Sequence, residues 1–159
     1  MRDAIMLASA AGLVLLSLGA AAARPSDGDV RFIGHDEVQA AFAKGVPLIE
    51  VGDYKIHASR REGPGMAEIH TRDTDIAYVI HGSATLVTGG TAVGVKETAA
   101  EELRGTAIQG GETRQLEVGD VVVIPNGVPH WFKEVRAPFL YYVVKVRQPG
   151  RQAAAAGAP

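Results

Sequence analysis

The chain has 159 residues, of which 47% are hydrophobic and 21% charged, with a formal net charge of −2. This length suits one globular domain, and the near-neutral charge gives no electrostatic basis for binding nucleic acid or anionic membrane surfaces. There is no cysteine. Disulfides, thiolate metal sites and cysteine nucleophiles are therefore excluded.

The first residues predict an export signal. A charged start is followed by an uncharged apolar run over residues 4–23, and Ala21 and Ala23 fit the A-x-A pattern of a cleavage site. We expect residues 1–23 to be a signal peptide and the rest of the chain to be periplasmic or secreted. The alternative is an uncleaved membrane anchor, because the run is close to the ~20 residues that span a bilayer.

Residues 24–46 are predicted to form a polar linker and one short helix. The helical pattern covers residues 36–44, with acidic residues at its start, Lys44 near its end and Gly45 and Pro47 as stop signals. After Pro47 the pattern changes to short runs typical of β-strands, separated by turns that contain glycine or proline.

The predicted strands cover residues 48–51, 54–60, 66–71, 76–80, 84–88, 115–118, 121–124, 130–135 and 139–146. Many short strands at this spacing predict an all-β sandwich or small barrel over residues 47–147. Residues 91–114 interrupt the rhythm, and within them residues 97–104 are predicted to form a helical turn or a mobile loop inserted into one hairpin. The tail, residues 148–159, is rich in alanine, glycine and proline and is predicted to be disordered.

The most informative segment is residues 119–130. An apolar β-branched run leads into a turn at Pro125 and Gly127, and His130 begins the next strand. A histidine that follows such a stiff corner is held in one direction.

A second cluster lies upstream. Glu68 and His70 are two residues apart in a predicted strand, so their side chains share a face. Inside a barrel, both groups need a polar partner. A divalent cation supplies one, because imidazole and carboxylate bind Fe, Mn, Ni, Co or Zn. Asp75 follows after a short turn, and His130 arrives from the corner, which predicts a mixed N/O site.

These residues resemble the two motifs of the cupin superfamily. The second motif, G-x5-P-x-G-x2-H-x3-N, is matched except at its last position, where Glu134 replaces asparagine; the matching residues are Gly119, Pro125, Gly127 and His130. The first motif, G-x5-H-x-H-x3-4-E-x6-G, is altered. Counting back from Gly82 places Asp75 at the glutamate position, His70 at the second histidine and Glu68 at the first.

The resemblance covers residues 48–146 and implies a cupin-like double-stranded β-helix, a jelly-roll barrel. It also implies a divalent metal ion, such as Fe, Mn, Ni or Zn, at the barrel mouth; its ligands are Glu68, His70, Asp75 and His130. Glutamate in place of the first histidine favours harder or borderline metals over copper.

Two functions remain open. The first is a metal-dependent enzyme for a small oxygenated compound, of the dioxygenase, decarboxylase, isomerase or lyase type, with Glu68 as general base if it is not a ligand. The second is a non-catalytic binding or structural module with a degenerate metal site. Arg60 and Arg61 are either a solvated edge or an anchor for a carboxylate substrate. Pairing of sheet edges would give a homodimer, and membrane contact is expected only if the N-terminal segment stays uncleaved.

Overall fold

The computed structural model describes residue 28 and residues 30–148. The predicted signal peptide and nearly all of the predicted tail lie outside these residues. Within the described part, the chain forms one helix and eleven strands: α1 (His35–Lys44), β1 (Pro47–Glu50), β2 (Tyr54–Arg61), β3 (Ala67–His70), β4 (Asp73–Thr88), β5 (Thr91–Val93), β6 (Lys96–Ala99), β7 (Glu102–Gly105), β8 (Ala107–Gln109), β9 (Glu112–Leu116), β10 (Val121–Ile124) and β11 (His130–Arg147). No helix among the described residues has the length and apolar character needed to cross a membrane.

Two long strands form the spine of the fold. β4 and β11 pair in antiparallel fashion, with Thr88 opposite His130 at one end and Asp73 opposite Arg147 at the other. Each long strand contains two of the predicted strands, and the pairing is interrupted near the middle. Gly82 lies at this bend with φ +77°, and a Cβ atom there would lie 2.5 Å from the carbonyl oxygen of Pro138. Only glycine allows this approach without a shift of the backbone.

The other strands extend this spine on both sides. β11 pairs with β2, and β2 pairs with β1, whereas β4 pairs along its other edge with β9 and β10. The first residue of β11 also pairs with β3, which continues into β7 and β6. The predicted fold class is confirmed: the chain is all-β with one short helix and folds as a double-stranded β-helix of the jelly-roll type. Its hydrogen-bonded ladders do not close into a ring within residues 30–148.

The expectation of a helical turn or mobile loop over residues 97–104 is wrong. These residues belong to β6 and β7, which form a hairpin whose turn holds Glu101 at φ +68°. The run of glutamate, alanine and leucine favours a helix locally. β7 pairs residue for residue with β3, from Gly105 opposite Ala67 to Glu102 opposite His70, and this pairing overrides the local preference.

The apolar core has three clusters, and aromatic contacts organise two of them. Between the layers, Phe132, Phe139 and Tyr141 stack in a cluster with ring centroids 5.1 to 5.7 Å apart. On the outside of β2, α1 buries Phe42 edge-on against Tyr142, with the ring centroids 4.9 Å apart. The helix therefore covers the outer face of β2, and the inner face of β2 is left to line a cavity.

Candidate metal centre

Backbone pairing between β3 and β11 brings the residues of the two motifs together. Glu68 lies opposite His130 in the β3–β11 pairing. The corner that precedes His130 is attached to the end of β3: the Gly127 N–H donates to the His70 carbonyl oxygen at 2.8 Å, and the Asn126 side-chain amide donates to the Thr71 carbonyl oxygen at 3.2 Å. Gly127 has φ +79°, which suits the glycine of the motif.

Glu68, His70 and His130 form a compact group of three donors. The Oε2 atom of Glu68 lies 3.8 Å from Nε2 of His70 and 3.8 Å from Nε2 of His130. The three ligand atoms lie within 4.8 Å of one another, and all three residues are at most 9% exposed. Nitrogen and oxygen ligands bind metals such as zinc at about 2.0–2.2 Å, so donors on one ion are roughly 3–3.5 Å apart. A small contraction would bring this group onto a metal ion.

Both imidazoles direct their Nε2 atom toward Oε2 of Glu68. The Nδ1 atom of His130 lies 3.2 Å from the carbonyl oxygen of Val128. A carbonyl oxygen only accepts hydrogen bonds, so the proton is on Nδ1 and the Nε2 lone pair is free to bind. The Nδ1 atom of His70 lies 2.8 Å from Oε1 of Glu102. A carboxylate behind an imidazole is the usual way in which proteins orient a metal-binding histidine.

The two oxygens of Glu68 have different partners. Oε1 accepts a hydrogen bond from Arg61 at 3.0 Å and also contacts the guanidinium of Arg104, whereas Oε2 faces the imidazoles. Burial raises the pKa of Glu68, but Arg61, His130 and Arg104 outweigh it, so the pKa of this carboxyl lies below its usual value. Glu68 is therefore ionised, held by Oε1 and able to offer Oε2 to a cation.

Of Arg60 and Arg61, the adjacent arginines of β2, only Arg61 lines the cavity. Its Nε donates to the Tyr141 hydroxyl at 3.0 Å, and its guanidinium carbon lies 4.4 Å from the centre of the Phe132 ring. Arg60 points outward to Glu62. Alternation along β2 separates the two side chains, and Arg61 thereby supports Glu68.

Asp75 lies beside the three donors and is paired with Lys145. Both carboxylate oxygens accept hydrogen bonds from Lys145 Nζ at 2.8 Å, and Oδ2 lies 3.3 Å from Nε2 of His70. Burial raises the pKa of Asp75, but His70 and Lys145 outweigh it and lower the pKa. Asp75 is thus an anion next to the group, and its role as a fourth metal ligand stays a prediction.

Lys145 is one of three site residues that sequence reasoning missed. Its Nζ lies 2.8 Å from Nε2 of His70. The sequence signal was the alternation of side chains along the last strand, which places Tyr141, Val143 and Lys145 on the same face. A lysine that shares a face with two apolar residues points into the fold. Glu102 and Arg104 were also missed, because they lie in the segment expected to be a helical turn or loop.

The three donors open into a cavity of about 280 Å³. One wall is the inner face of β2, and it is unusually polar; the side chains are Lys55, His57, Ser59 and Arg61. The neighbouring strand β11 continues this wall, because Tyr141, Val143 and Lys145 are paired with Ser59, His57 and Lys55. Glu134, which replaces the motif asparagine, accepts a hydrogen bond from Thr85 at 3.1 Å and does not line this cavity.

Comparison with known proteins agrees with this architecture. The sequence pattern of the family described as Cupin matches residues 54–158. No curated protein sequence matches the chain. Among solved structures, a conserved protein with a double-stranded β-helix domain from Klebsiella pneumoniae is 16% identical with a TM-score of 0.51, and the match covers 80% of this chain and 93% of that one.

Two further structures are more distant. A hydroquinone 1,2-dioxygenase from Sphingomonas sp. TTNP3 is 14% identical with a TM-score of 0.47, over 79% of this chain and 85% of that one. Peruvianin-I, a cysteine peptidase from Thevetia peruviana latex, is 15% identical with a TM-score of 0.38, over 62% of this chain and 53% of that one. The chain therefore spans about half the length of peruvianin-I, and at these identities the likeness concerns the fold alone.

Proposed function

Because the chain belongs to the cupin family, we propose that it binds a divalent transition-metal ion and acts on a small oxygenated compound. The proposed ligands are Glu68, His70 and His130, with Asp75 as a fourth ligand or a neighbouring anion. The observation that carries the proposal is the position of Glu68 Oε2, at 3.8 Å from both imidazole Nε2 atoms.

The donor set supports a borderline metal. Two nitrogen donors and one carboxylate oxygen suit Fe, Mn, Ni or Zn, whereas copper(I) prefers thiolate and thioether ligands. When bound, such an ion supplies a Lewis acid or activates dioxygen or water. The carboxylate of Glu68 is a weak base because Arg61 and Arg104 contact its Oε1 atom. This favours a ligand role for Glu68 over the alternative of a general base.

The cavity supports a small polar substrate. Its volume of about 280 Å³ lies just below the roughly 300–1,000 Å³ found for ligand pockets, which suits a small molecule. Lys55 and Ser59 of β2 and Tyr141 of β11, the cross-strand partner of Ser59, line the cavity, so hydrogen-bond donors face the space beside the proposed metal. This lining fits a compound that carries hydroxyl, carbonyl or carboxylate groups. The proposed reaction class is dioxygenase, decarboxylase, isomerase or lyase.

One observation favours the second candidate, a non-catalytic binding or structural module. The ammonium of Lys145 already lies between His70 and Asp75, at 2.8 Å from each. A positive charge at this position balances the buried carboxylates without a metal ion. The export signal over residues 1–23 also stays a prediction, since it lies outside the described residues.

The first test is metal content. The protein is purified without a histidine tag, incubated with Fe²⁺, Mn²⁺, Ni²⁺ or Zn²⁺, freed of unbound metal and analysed for bound metal. We expect about one ion per chain, and at least a tenfold weaker affinity in His130→Gln, because removing one of three ligands removes a direct bond. His81→Gln is the control, since His81 is exposed and does not line the cavity.

The outcomes separate the candidates. Absence of metal from the wild-type protein with all four ions contradicts the proposal. Bound metal, combined with dioxygen consumption or product formation from small carboxylates or diketones that is lost in His130→Gln, supports the enzyme. Bound metal without turnover on any of these compounds supports the binding module.

A further inference from the structure

Lys145 makes a contact with the proposed metal site that a metal ion would have to break. Its Nζ lies 2.8 Å from Nε2 of His70 and 2.8 Å from each carboxylate oxygen of Asp75. The side chain is only 13% exposed, and Lys145 pairs directly with Asp75 across β11 and β4. The contact is thus built into the strand register, and it is not an accident of a surface side chain.

The lone pair of an imidazole nitrogen serves one partner at a time. It lies in the ring plane and either takes part in a hydrogen bond or binds a metal ion. Lys145 Nζ and His70 Nε2 are 2.8 Å apart and share one proton. Whichever of these two atoms carries the proton, Nε2 of His70 is engaged in a hydrogen bond with Lys145. A metal bonded to the same atom at about 2.0–2.1 Å would take the direction now occupied by the ammonium.

We propose that Lys145 is a competitor for the metal, built into the site, which binds His70 when metal is absent and is displaced when metal binds. The inference rests on the proposed function, since it concerns the same His70. Lys145 has a flexible four-carbon chain and retains Asp75 as a partner after it leaves Nε2. Its presence weakens metal binding and keeps the buried carboxylates balanced in the metal-free protein.

The test compares two lysines of the same cavity. Lys145→Met removes the ammonium from His70, whereas Lys55→Met removes the same charge from the cavity wall. Lys55 pairs instead with the carboxylate of Asp73, at 3.5 Å. Zinc affinity is measured by competition with a chelating dye. We expect Lys145→Met to bind Zn²⁺ about tenfold or more tightly than wild type, the effect of losing one charge-assisted hydrogen bond, and Lys55→Met to stay within about twofold, since only longer-range charge repulsion changes.

Each outcome is decisive. If both variants bind zinc more tightly by the same factor, the effect comes from the lost positive charge in general, and the inference is overturned. An unchanged zinc affinity in Lys145→Met also overturns it. If wild type binds zinc through His130 and Lys145→Met does not differ from it, only this inference fails. If neither wild type nor either variant binds Zn²⁺, Fe²⁺, Mn²⁺ or Ni²⁺, the proposed function fails with it. Zinc binding by Lys145→Met alone supports the competition.

A measurement on the wild-type protein keeps the inference testable if Lys145→Met does not fold. Nitrogen-15 NMR follows the imidazole of His70 and the ammonium of Lys145 during a zinc titration. We expect both the Nε2 signal of His70 and the Nζ signal of Lys145 to change together, because the metal breaks the contact between them. A Lys145 signal that stays unchanged at zinc saturation overturns the inference.

Discussion

The two histidines of the site have opposite electrostatic surroundings although their ring centres are 5.0 Å apart. Burial lowers the pKa of His70, but the carboxylates of Asp75 and Glu102 outweigh it and raise the pKa to about 9. Burial and the positive charge of His70 lower the pKa of His130 to about 4. His130 is therefore neutral near pH 7 and ready to bind a metal ion, whereas His70 and Lys145 share one proton across their 2.8 Å contact, so that the pair carries a single positive charge.

The low pKa of His130 predicts that the metal-free protein loses stability in mild acid. The folded-state pKa of about 4 lies below the unfolded value of about 6.5. The unfolded chain thus binds more protons between these values, and stability falls as pH drops from about 6.5 toward 4. Between pH 6 and 5 the expected loss from His130 is about 1 kcal/mol in the free energy of unfolding.

Urea unfolding of metal-free protein at pH 7, 6 and 5 measures this loss. His130→Gln is expected to lose about 1 kcal/mol less than wild type between pH 6 and 5. Burial and Lys145 also lower the pKa of His57, so part of the dependence remains in that variant. Ile124→Val changes the core without a titratable group and is expected to keep the wild-type dependence. A His130→Gln variant with the full wild-type loss would contradict the assignment.

At the scale of the elements, the bend in β4 depends on Gly82. The dihedral φ is +77° at Gly82 and +74° at Gly89, but their surroundings differ. A Cβ atom at Gly82 would lie 2.5 Å from the Pro138 carbonyl oxygen and 2.9 Å from that of Arg136, whereas nothing lies within 4 Å at Gly89. Substitutions at the two glycines therefore distinguish two costs. Both positions share the cost of a left-handed backbone, and only Gly82 has the close approach of β4 and β11.

We expect Gly82→Ala to destabilise the fold more than Gly89→Ala. A left-handed alanine costs roughly 1–2 kcal/mol at either position. At Gly82 the contact with two carbonyl oxygens adds to this cost, so the difference between the variants should exceed about 1 kcal/mol. Chemical denaturation measures both free energies of unfolding. Equal losses in the two variants would show that the crossing tolerates a methyl group.

The strand pattern was readable along most of the chain because alternation and turn residues are local signals. Residues 121–124 were predicted exactly, and the helix His35–Lys44 differs by one residue. His81, Gly82 and Ser83 looked like a turn between two strands. They instead form a bend inside one long strand, because β11 continues the pairing past them. A pairing partner that lies far away in sequence decides this, and no local pattern reports it.

At the scale of the whole molecule, one face carries exposed apolar side chains. Val118 and Val121 are each 62% exposed, Val123 is 57% exposed, and Tyr78 and Ile76 lie beside them on β4. Within the described residues, β10 pairs only with β4, so it is an edge strand. An apolar patch at a strand edge is typical of a surface that another chain covers.

We expect this face to bind a second copy of the chain, as in the sheet-edge homodimer that the sequence allows but does not specify. Charged side chains there should oppose dimer formation, because burying them without partners is unfavourable. The double variant Val121→Lys/Val123→Lys is expected to be monomeric by light scattering, with wild type dimeric. Val30→Lys is the control, since Val30 is exposed but lies far along the chain, before the helix. A monomeric wild-type protein would contradict this expectation.

The sequence by itself determined the all-β class, the motif corner before His130 and the shared face of Glu68 and His70, because periodicity and glycine or proline turns act over a few residues. Only the tertiary structure decided what surrounds these donors. It placed Lys145 and Asp75 against His70, Glu102 behind it, and Arg61 and Arg104 on Glu68. Those contacts join strands that are distant in sequence, and charge pairing across such distances depends on strand register, which no local pattern encodes.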